Sequence, residues 1–158
     1  MFITKYAFAF LFLVAVSCTK EKEPEPVAPE TWAHSGETYN RAQVVKRMQL
    51  NHTSSDSLFS LTFTASDLDT NSLRLSFTRP PSAGKKYLIV YAPKTDDQVS
   101  IEYWSRISRG GGSQDTPEQY LQVLDEGTRF RYVANDIVLR EYTMYVDYNI
   151  KLSLNVSE

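Results

Sequence analysis

Residues 142–158 read YTMYVDYNIKLSLNVSE. Tyr142, Met144, Val146, Tyr148, Ile150, Leu152, Leu154 and Val156 take every second place, with Thr143, Tyr145, Asp147, Asn149, Lys151, Ser153 and Asn155 between them. Successive side chains of a strand point to opposite faces, so this period of two predicts one long strand, bent near Asp147, with a single apolar face to bury. The simplest cover for such a face is a second sheet.

Working back along the chain, the same pattern recurs. Leu58 to Ala65 places Phe59, Leu61, Phe63 and Ala65 against Ser60, Thr62 and Thr64, and after a turn at 67–72 Leu73, Leu75 and Phe77 alternate with Arg74, Ser76 and Thr78. These two runs predict a hairpin. Pro80-Pro81 removes two backbone donors and forces a loop before a short strand from Tyr87 to Tyr91. Val99 to Ile107 predicts another strand, with Val99, Ile101, Tyr103 and Ile107 on one face and Ser100, Glu102, Trp104 and Arg106 on the other. Gly110-Gly111-Gly112 closes it, and Val44 to Leu50 and Phe130 to Ala134 are further strands. Thr116-Pro117-Glu118-Gln119 has the order of a helix start, with Gly127 as its C-cap. Residues 117–126 therefore read as one short helix, with a strand from Tyr120 to Leu124 as the alternative. The expected fold is all-β, an antiparallel β-sandwich of immunoglobulin-like layers lacking their disulfide, because the chain has one cysteine, Cys18.

Residues 1–17, MFITKYAFAFLFLVAVS, carry one cation, Lys5, and an apolar run from Tyr6 to Val16 too short to cross a bilayer comfortably, as a secretory signal peptide does. Ala15-Val16-Ser17-Cys18 resembles a bacterial lipobox, in which small residues lead to the cysteine that is acylated and becomes the new N-terminus; its departure is Ala15, where leucine is commonest. Residues 18–30, CTKEKEPEPVAPE, hold three prolines and no aromatic residue, and so read as an extended tether. The expected organisation is a signal peptide at 1–17, lipidated Cys18 with a tether to residue 30, and one β-sandwich domain from 31 to 158. Without residues 1–17 the chain has 16 basic and 19 acidic residues, a net charge of −3. That balance supplies no concentrated basic face for nucleic acid.

Lipobox, charged proline-rich tether, the early tryptophan of TWA at Trp32, the hairpin SLFSLTFTASDLDTNSLRLSF and the strand GTRFRYVA together resemble small uncharacterised outer-membrane lipoproteins of Bacteroidota. The resemblance implies a β-sandwich and an outer-membrane lipid anchor. The KEKE string at Lys20 resembles the export signal of their surface-exposed members, with the periplasmic face as the alternative.

Catalytic equipment is sparse. The histidines number two, His34 beside the tether and His52 in a polar turn, and both read as surface residues. No nucleophile elbow, zinc helix, phosphate loop or dinucleotide fingerprint occurs. Asp67-Leu68-Asp69-Thr70-Asn71 imitates a calcium loop but has Ser72 where glycine and Thr78 where glutamate belong, so neither metal nor cofactor is expected. The sequence therefore points to a non-enzymatic binding or envelope-assembly module with a glycan or envelope protein as partner. The alternative is a glycan-active enzyme using two of Asp67, Asp69, Asp96, Asp97 and Glu102. The candidate ligand site is Trp104, an indole on an otherwise polar face, with Glu102, Arg106 and Arg109 around it.

Overall fold

The computed structural model describes residues 27–34, 36–50, 57–66, 71–105, 109–111, 117–142 and 147–158. They form ten strands: β1 (Thr31–His34), β2 (Glu37–Leu50), β3 (Ser57–Ala65), β4 (Ser72–Phe77), β5 (Lys86–Ile89), β6 (Gln98–Trp104), β7 (Arg109–Gly111), β8 (Tyr120–Asp125), β9 (Phe130–Tyr142) and β10 (Asp147–Ser157). Around the ring the order is β10-β1-β2-β3-β4-β6-β5-β8-β9, and β9 pairs again with β10. Nine strands thus close into a β-barrel, and the expected two-layer sandwich is overturned. The short β7 lies between β6 and β9 and ties them together.

The alternation was read correctly but its cover was not. Leu61, Phe63, Leu73, Leu75, Val99, Ile101, Leu152, Leu154 and Val156 are all buried, and they meet one another across the inside of a single curved sheet. Alternating strands have the same pattern in a sandwich and in a barrel; what differs is whether the end strands find partners. Here β1 decides. Its four residues pair on one side with β10, Trp32 opposite Leu154, and on the other with β2, Trp32 opposite Tyr39. Two register shifts supply the curvature. Ala42 is the extra residue of β2 opposite β3, and Asn135-Asp136 of β9 face Ser153 of β10. Asp136 has φ 48 there, and its N–H donates to Ser153 Oγ at 2.8 Å.

The expected long final strand is divided. Tyr142 ends β9 and pairs with Asp147, the first residue of β10, while residues 143–146 lie outside the described set. The short helix is also overturned. Tyr120–Asp125 is a strand, with Leu121 and Val123 buried in the barrel and Tyr120 exposed, and Gly127 sits at φ 82 in the turn to β9. Gln119, read as part of a helix start, instead stands in for a strand. Its side-chain amide donates to Val138 O at 3.0 Å and accepts from Val138 N, filling the gap in the wall of β9 between its pairings with β8 and β7. Gln119→Ala should therefore leave a half-buried N–H and C=O unmet and cost about 1–3 kcal/mol, read as a lower urea midpoint with an unchanged slope.

Candidate functional site

Because Leu73, Leu75, Val99, Ile101 and Tyr103 point into the barrel, their neighbours Arg74, Glu102 and Trp104 must point out. Register then brings them together. Arg74 lies opposite Glu102, which lies opposite Gly111, and Trp104 lies opposite Arg109. Diagonal neighbours on adjacent strands are within reach of long side chains. The Arg74 guanidinium carbon is 4.3 Å from the centroid of the Trp104 ring, and that of Arg109 is 5.3 Å away. Glu102 holds both cations, at 2.6 Å from Arg109 Nη2 and 3.7 Å from Arg74 Nη1.

Three of the four residues proposed from sequence are thus assembled; the fourth, Arg106, lies outside the described residues. The indole is half-buried, and guanidinium groups lie against its ring. Each such contact contributes about 0.5–1 kcal/mol at an exposed site. The two cations differ in freedom. The Arg109 side chain is 57% exposed and that of Arg74 27%, with Arg74 Nε buried and lacking an acceptor among the described residues. Sequence reasoning missed Arg74 because its place beside Trp104 depends on the pairing of β4 with β6, which no single strand reveals.

Other candidates are placed differently. His34, expected at the surface, is buried, its ring 4.5 Å from that of Tyr103 at the barrel mouth. His52, Asp67 and Asp69 fall outside the described residues. Asp96 accepts from Thr78 Oγ1 at 2.8 Å and lies 3.4 Å from Arg79, while Asp97 accepts from Thr95. A separate open groove of about 200 Å³ lies outside the barrel between β1 and β10, lined by Ala33, His34, Gly36, Asp136, Lys151 and Ser153.

The segment preceding β1 is held at the other end of the barrel. Asn155 Nδ2 donates to Val27 O at 3.0 Å, Thr31 Oγ1 to Ala28 O at 2.6 Å, and Arg41 N to Glu30 O at 2.8 Å. The Glu30 carboxylate pairs with Arg41 at 2.6 Å, has Arg129 and Arg131 at 3.7 Å, and accepts from Ser157 Oγ. Strand β9 measures the separation: Arg131 is beside Glu30, and Tyr142 is paired with Arg109. Eleven residues of strand span about 35 Å. No family model, curated protein or solved structure matches the chain.

Proposed function

We propose that this protein is a lipid-tethered, non-catalytic binding module of the outer membrane, facing the cell surface, that presents the Trp104 patch to a ligand. The observation that carries the reading is the patch itself: a half-buried indole with Arg74, Arg109 and Glu102 gathered on the convex face of the sheet. Aromatic and arginine side chains together are the usual anchors of recognition surfaces.

The docking of residues 27–30 supports the geometry of such a module. Between Cys18 and Val27 there are at most about 30 Å of extended chain, which would keep the Glu30 end near the lipid and leave the Trp104 end about one barrel length further out. Two measurements test this reading. Cys18→Ser removes the thiol that takes the diacylglycerol, so the variant should stop incorporating labelled fatty acid; undiminished label would end the anchor. Trp104→Ala should abolish ligand capture on a glycan array or in envelope pull-downs while its circular dichroism matches the wild type. Capture unchanged in the folded variant would remove the patch as the site.

A further inference from the structure

We infer that the ligand of the Trp104 patch is an acidic saccharide, a sugar chain bearing carboxylate or sulfate groups; the inference rests on the binding reading above and adds its chemistry. The argument starts from what a ligand must displace. Arg74 is largely covered, so the side chain able to leave the indole is Arg109, which is 57% exposed and held by Glu102 and the ring. A neutral sugar that moved Arg109 aside would break a 2.6 Å ion pair and offer the guanidinium only neutral acceptors. An anionic group would replace the lost partner with a charge-assisted, two-pronged one. The site therefore discriminates by what it leaves unpaired.

The surroundings add a place for that anion. Gly111 shares the outer face with Arg109, and a side chain there would meet no atom of the described residues nearer than the Ile101 carbonyl oxygen at 3.8 Å, so the glycine leaves a notch. In register across that notch stand Glu102 on one side and Arg140 on the other. Arg140 points outward, since Leu139 is buried in the barrel. Arg74 and Arg109 against the one carboxylate of Glu102 leave the described patch with a cation in excess, although the chain as a whole is acidic. An anionic group at the notch meets Arg109, and its sugar ring lies against the indole edge that Arg109 vacates.

The test uses the full lipidated protein in detergent and four immobilised polymers: polygalacturonate, its methyl ester, dextran sulfate and polyglutamate. Retention on polygalacturonate or dextran sulfate is expected, with little on the methyl ester, and the two acidic arms tell carboxylate from sulfate. Binding should weaken several-fold between low and physiological salt, as screening predicts. Arg109→Ala, a change at an exposed side chain that leaves the core untouched, should weaken it at least tenfold, and Arg109→Lys should not restore it fully. Equal retention on the methyl ester, lost in Trp104→Ala, would overturn the acidic specificity while leaving the patch as a site. Polyglutamate bound as tightly as the sugars, with Trp104→Ala indifferent, would overturn the saccharide. Failure of all four polymers to bind the folded protein would overturn the inference as well.

Discussion

Trp32→Ala is expected to lower the unfolding free energy by about 3–5 kcal/mol, the usual range for removing a large aromatic side chain from a closed core. Trp32 has no exposed surface, stacks on Tyr39 with centroids 5.8 Å apart, and belongs to a strand of only four residues. That strand joins β10 to β2, so loosening it exposes two edges as well as leaving a cavity. Urea denaturation followed by tryptophan-independent circular dichroism reads the change. Ala33→Ser, on the outer face of the same strand, should stay within about 0.5 kcal/mol. A loss below about 1 kcal/mol for Trp32→Ala would mean that the barrel closes without help from β1.

The same strand shows how far sequence alone could go. Runs such as Leu61-Phe63-Ala65 and Ile150-Leu152-Leu154 announce which side chains are buried, because the pleat fixes alternate directions whatever the sheet then does. Closure depends on pairings between distant segments. Thr31–His34 is too short for a period to be recognised, and its partners lie next to it in β2 and more than a hundred residues away in β10. At residues 120–125 the strand alternative is the one that forms, and the helix competed with it for another reason. Six residues with apolar positions at Leu121, Val123 and Leu124 satisfy both periods, and the proline and glycine on either side serve a hairpin as well as a helix. The patch was legible to the extent that it depended on one strand: Trp104 among polar neighbours marked the outer face, and Arg109 was close in sequence. Arg74 and Arg140 come from strands whose register the sequence does not encode locally. His34 was misread because nearness to a charged, proline-rich segment suggested solvent, whereas β1 carries it into the barrel mouth against Tyr103.

Glu30→Ala should cost about 2–4 kcal/mol, because it leaves partly buried guanidinium groups without their carboxylate. Arg41 and Arg131 have side chains only 20% and 15% exposed, and Ser157 is fully buried with its hydroxyl directed at Glu30. Burial pushes the Glu30 carboxyl up, but the hydrogen bonds from Ser157 and the charges of Arg41 and Arg129 outweigh it and hold the group below its ordinary value of 4.5. A carboxylate depressed by folding stabilises the fold fully above its unfolded value and loses that contribution as pH falls through the folded one. The stability difference between the wild type and Glu30→Gln should therefore be largest near neutral pH and shrink in acid below 4.5. Chemical denaturation at a series of pH values measures it, and a difference constant with pH would mean that the charge contributes nothing. Backbone strain can be separated from charge, since Glu30 adopts φ 62, where glycine is at ease. Glu30→Gly relieves the strain and removes the carboxylate in one step. If the ion pairs dominate, this variant is still less stable than the wild type and is cleaved faster by protease at residues 27–30; a more stable, uncleaved Glu30→Gly protein would instead show that those residues are held by their backbone bonds alone.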